Sequence, residues 1–166
     1  YRLDSGFWMA MHFSRFSPKG WLFVNGACYG DGEENHAIEH PSHNFMTLVS
    51  PDRSEMTMHF TNEDLFPRTY SVQLKDMGFT NRMLSTVLTT GPNPGEAFDA
   101  NWFRRGKPIK PSHRNGETYF IKVPPQSIMT ITTLDTGWVN GVETFSHNIP
   151  NAERLPLPYQ DHFRYQ

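Results

Sequence analysis

Six side chains able to hold a metal crowd one loop: Glu33, Glu34, His36, Glu39, His40 and His43. Imidazoles and carboxylates bind zinc when three or four of them converge on a tetrahedron. Their spacing follows no zinc signature, and Ala37 stands where the calcium loop of an EF-hand turns on a glycine. The stretch therefore reads as a solvated loop, and neither a metal nor another cofactor is expected. Nucleophilic catalysis finds no motif either: there is no Gly-x-Ser-x-Gly elbow, and Cys28 is the only cysteine. A lone cysteine also excludes an intrachain disulfide. Paired carboxylates carry most glycoside hydrolysis. Glu55, Glu63, Asp64, Glu96, Asp99 and Glu117 all fall at expected strand ends or turns, where acids are ordinarily solvated, and no pair is set apart. A free-standing enzyme ranks last among the readings.

Flat aromatic faces offer a different chemistry, stacking against sugar rings while nearby polar groups bind hydroxyls. Trp21, Trp102, Trp138 and Tyr159 are the candidates. Trp102 has the best claim, because it lies in a long loop as Asn101-Trp-Phe-Arg-Arg105, with Arg104 beside it. The competing reading is that tryptophan in a small β domain fills core or covers an interface.

These residues must be positioned by short elements. Ser5 caps a helix predicted to run to about Phe16, which Pro18-Lys19-Gly20 ends. Strands are then expected over 21–25, 45–49, 55–61, 69–75, 82–90, 118–123 and 127–134. In the third of these, Met56, Met58 and Phe60 alternate with polar residues, the mark of a half-buried strand. The last two are expected to pair across Pro124-Pro125. Short strands at this spacing predict an all-β fold, an antiparallel β-sandwich of about eight strands preceded by one short helix. Between them, 91–116 is an irregular insert of a length that is usually functional or interface-forming.

With 166 residues there is room for one well-cored domain and a tail. A formal net charge of −2 without any Lys/Arg run argues against nucleic acid as a partner. No apolar run approaches the roughly 20 residues of a bilayer span. The start of the chain lacks the order of a signal peptide. Gly6-Phe-Trp-Met-Ala-Met-His-Phe13 is instead apolar on nearly every face, which points to a missing neighbour and a chain cut from a longer one.

Three segments carry a resemblance to a known family. Phe7-Trp8, His12, Phe16 and Pro18-Lys-Gly-Trp21 resemble the junction in galactosylceramidases, glycoside hydrolases of family 59, where the last barrel helix enters a β-sandwich; Lys19 is an extra residue here. Pro124-Pro-Gln-Ser-Ile-Met-Thr-Ile-Thr-Thr-Leu-Asp-Thr-Gly137 is similar to the last sandwich strand of that family. Leu155-Pro-Leu-Pro-Tyr-Gln-Asp-His-Phe163 is similar to its linker into a lectin-like domain. Family 30 hydrolases share the junction and the strand, and are the close competitor. The resemblance implies 1–20 as the end of a catalytic (β/α)8 barrel, 21–134 as the sandwich, and 135–166 as a Pro-rich linker. It implies a barrel interface formed by Phe7, Trp8, Met11, Phe16 and Trp21, and Arg68 as the arginine lent to the sugar pocket. The barrel and the lectin-like domain are then the partners, the catalytic glutamates lie outside this stretch, and the parent is a secreted or lysosomal β-galactoside hydrolase. An independent carbohydrate-binding module using Trp102 and Arg104 is the alternative.

Overall fold

A computed structural model describes residues 5–28, 43–112, 117–137 and 139. The acidic and histidine-rich loop before His43, Trp138, Tyr159 and nearly all of the Pro-rich linker, with the segment similar to the lectin-domain entry, lie outside the described residues. Among the described residues, helix α1 spans Ser5–Phe16, and eight strands follow: β1 Leu22–Phe23, β2 His43–Val49, β3 Met56–Asn62, β4 Arg68–Gln73, β5 Ser85–Thr90, β6 Arg104–Arg105, β7 Thr118–Val123 and β8 Ser127–Thr132. They form a six-stranded sheet in the order β1-β2-β3-β8-β5-β6 and a two-stranded sheet β4-β7, with antiparallel pairing throughout. Among the described residues, the chain therefore adopts the expected all-β sandwich with one short helix.

The alternation of β3 explains how three layers are held. Met56, Met58 and Phe60 join Leu84, Tyr119, Ile121, Val123, Met129 and Ile131 in the core between the sheets. Tyr70 and Val72 of β4 close over it. Thr57, His59 and Thr61, one residue out of phase, turn to the opposite face, and this is where α1 lies against β3, β5 and β8. The helix buries Trp8, His12 and Phe16, spaced by four and so stacked along one stripe. Val87, Trp102, Phe103 and Val139 complete this second core. Each fully buried side chain of this size contributes on the order of 1.5–3 kcal/mol relative to exposure.

Two expectations about connectivity are corrected. Strands β7 and β8 do not pair with each other: β7 pairs β4 in the small sheet, while β8 sits between β3 and β5 in the large one. Pro124-Pro125 lacks two N–H donors, and Gln126 at φ 45° turns the chain between layers rather than back along its own strand. The 91–116 insert is also not wholly irregular. It returns to the sheet as edge strand β6, opposite Val87 and Leu88, and forms a further bridge from Ile109 to Leu84. The strand expected over 21–25 is ordered as β only at Leu22–Phe23.

Candidate functional site

Two histidines sit in the layer between α1 and the large sheet, and sequence reasoning singled out neither of them for a role. His12 Nε2 lies 2.8 Å from Thr89 Oγ1, and its Nδ1 lies 2.8 Å from Thr130 Oγ1. The same Thr130 hydroxyl is 3.0 Å from His59 Nδ1, whose Nε2 is 3.1 Å from Ser17 Oγ. One direction satisfies every hydroxyl. Thr89 accepts the Phe103 N–H at 2.8 Å and donates to His12, which donates to Thr130. Thr130 then donates to His59, which donates to Ser17. Burial, with the neighbouring His59 second, lowers the His12 pKa to about 3, and burial lowers that of His59 to about 4. Both rings are neutral at pH 7.

Phe103 is held with them. Its φ of 49° is rare for a bulky residue, and the N–H bond to Thr89 helps fix it. Its ring lies 5.5 Å from Trp8, 5.1 Å from His12 and 6.2 Å from Phe16.

Beyond the N-terminal half of α1 the layer opens into a cleft of about 380 Å³, bounded by Met9, Phe98, Trp102, Ile128, Thr90 and Gln126, among others. It is the concave, mostly apolar type of surface that binds small ligands or another protein. Trp102 is only 5% exposed and meets Phe98 edge-on at 5.1 Å, whereas Phe98 is 63% exposed at the mouth. The ring with a free face is thus Phe98, which the sequence did not mark; its position four residues before Trp102, in a chain of tight turns, was the available signal.

The other expected sugar-binding residues do not converge with Trp102. Arg104 donates from Nε to Ala100 O at 2.7 Å and so holds its own loop. Arg68 pairs with Asp64 at the exposed start of β4. Neither lines the cleft. Several candidate acids also have structural partners: Glu55 with Arg82 at 3.0 Å, and Glu96 with Asn93 and Asn101. The Asn93 N–H and side chain, followed by the Asn101 amide, pull the Glu96 pKa down. Of the expected barrel-facing residues, Trp8 and Phe16 are covered by this chain's own sheet, at 0% and 1% exposure, and Trp21 and Met11 are half-buried. Phe7 is 38% exposed.

Asn62 ties the cleft's rim together. Its Nδ2 donates to Phe66 O at 2.9 Å and Pro124 O at 2.8 Å, and its Oδ1 accepts the Asp64 N–H at 3.1 Å. Asn62→Ala removes these bonds, and a longer one from Nδ2 to Val123 O at 3.4 Å, at a buried position, and a loss of about 2 kcal/mol is expected in urea unfolding. A loss below a few tenths of that figure contradicts the clamp.

No family model matches the sequence, and no curated protein matches it significantly. Among solved structures, the chain is similar to a family 30 endoxylanase from Clostridium papyrosolvens, at a TM-score of 0.51 and 10% identity over 75% of this chain and 26% of that one. It is likewise similar to a family 30 subfamily 8 xylanase from Clostridium acetobutylicum, at 0.50 and 12% identity, again over 75% and 26%. The chain spans about a quarter of the length of either xylanase. The likeness is one of fold.

Proposed function

We propose that this chain is a noncatalytic accessory sandwich of a glycoside hydrolase and carries, on α1, a surface against which a catalytic (β/α)8 barrel packs. The observation behind this reading is that α1 is apolar on two sides and only one is covered. Trp8, His12 and Phe16 face the sandwich, while Met9, 46% exposed, lines the apolar cleft with the exposed Phe98 ring, and Phe7, 38% exposed, stands on the other flank of the helix. Exposed apolar side chains grouped in this way mark interaction surfaces. Among the described residues, both edges of the two-stranded β4-β7 sheet are without a further strand.

Of the two parent families, the structural likeness favours family 30 over family 59. A β-galactoside substrate, a lectin-like neighbour after 135–166 and a secreted parent rest on the three similar segments; no described helix is long and apolar enough to cross a membrane. The purified chain is expected to release no nitrophenol from nitrophenyl β-galactosides or β-xylosides. Measurable turnover overturns the proposal.

A carbohydrate-binding module is the second reading, favoured by the cleft and the free face of Phe98. It predicts chemical-shift changes at Phe98 and Trp102 on titration with galactosides or β-glycans. Their absence rejects it.

A further inference from the structure

The exposed side of α1 belongs to the function proposed above, but the buried side is a separate device. We infer that the chain Thr89–His12–Thr130–His59–Ser17 is an acid-sensitive latch, which holds α1 on the sheet at neutral pH and lets it go on acidification while the two-sheet core stays folded. The inference stands on geometry that is independent of any parent enzyme. Two imidazoles from different elements share one hydroxyl, Thr130 Oγ1, at 2.8 and 3.0 Å. Both are buried, at 0% and 2% exposure.

Among the described residues, no carboxylate faces the pair to compensate a proton. Facing the pair are Thr89 from β5, Thr130 from β8, Phe103 from the loop before β6, and Phe13 and Ser17 from α1 and its end, while Asn44 and Met46 of β2 line a small cavity with His59. Among the described residues, His59 is the titratable group that acts on His12, and α1 has no acid in its first turn. Protonating both rings gives Thr130 two N–H donors and leaves its own hydrogen without a ring acceptor, with two like charges across one oxygen. When α1 lifts, both rings reach water.

The sign follows from linkage. Both folded-state values are depressed from 6.5, to about 3 and about 4, so the contact is at full strength above pH 6.5 and is lost as pH falls toward those values. Where two protons are taken up on opening, the opening equilibrium rises roughly a hundredfold per pH unit. Among the described residues, the core between the sheets contains no histidine, so this titration does not act on it directly.

Hydrogen exchange of the chain, corrected for the intrinsic pH dependence, tests it at pH 7 and pH 5. The expected result is lost protection in α1 with protection retained in β3 and β8, and abolition of that loss in a His12→Gln, His59→Gln double variant. Unchanged α1 protection at pH 5, loss in step with β3 and β8, or loss that persists in the double variant overturns the latch. Should the double variant not fold, imidazole NMR titration of the wild type decides. Midpoints well below 6.5 that coincide with release of α1 support the latch, and independent midpoints near 6.5 overturn it.

Discussion

Phe60→Ala is expected to lower the unfolding free energy by roughly 3–5 kcal/mol, in a single transition that remains cooperative. Phe60 is fully buried on β3, between the sheets, with Phe45 stacked at 5.7 Å and Tyr70 tilted against it at 4.9 Å. Removing the ring strips both partners of their contact and leaves a void that three strands must collapse to fill. Because β3 pairs with both β2 and β8, none of them can shift inward alone. A domain of this size has about 5–15 kcal/mol in total, so most of its stability is at stake. Urea unfolding of the variant reads this directly. A loss under about 1 kcal/mol would mean that Phe60 is not at the centre of the core.

Trp8→Ala carries an expected loss of similar gross size, roughly 3–5 kcal/mol, but of a different kind. Trp8 is fully buried on α1 against Phe103, and it is the first of the three side chains that seat the helix. The helix touches the domain through one stripe, whereas β3 touches it on both faces and both edges. Once the loss exceeds what that stripe supplies, α1 opens by itself and the remaining sandwich sets the stability. The measured loss is therefore capped, and the denaturant slope falls because less surface is left to expose. An unchanged slope with a full Phe60-like loss would show that helix and sandwich unfold as one unit.

Much of the fold was legible for local reasons. Ser5 and Pro18-Lys19-Gly20 bracket α1, and the structure ends the helix at Phe16. The Met56, Met58, Phe60 alternation assigned a core face to β3 correctly, because a period of two leaves no other choice when one side is apolar. Partnerships between strands were not legible. Chain proximity suggested that β7 and β8 form a hairpin, but the layer change at Gln126 is fixed by its N–H to Asp64 O at 3.2 Å and by the Asn62 bond to Pro124 O. Those partners lie some sixty residues away in sequence. Short β6 was hidden for the same reason: nothing in Arg104-Arg105 signals a strand until β5 offers it an edge.

The candidate site was legible in part. Trp102 does line the cleft, yet the sequence could not tell that its own loop would fold Phe98 over it and leave Phe98 as the open ring. Arg68 and Arg104 looked free because charge is visible in a sequence and a partner is not. Asp64 and Ala100 take them up. His12 lies on an otherwise apolar stripe, where a buried polar side chain must find partners or be excluded. It finds them on β5 and β8, two strands that no helical periodicity could connect to it.

We propose that this sandwich serves a catalytic barrel rather than acting by itself. Sequencing the coding region that flanks Tyr1 tests this most directly. The expected result is an upstream pattern of alternating strands and helices, with two glutamates at strand ends, running without a stop into α1. A native start at or near Tyr1, or an upstream region without that pattern, would contradict it.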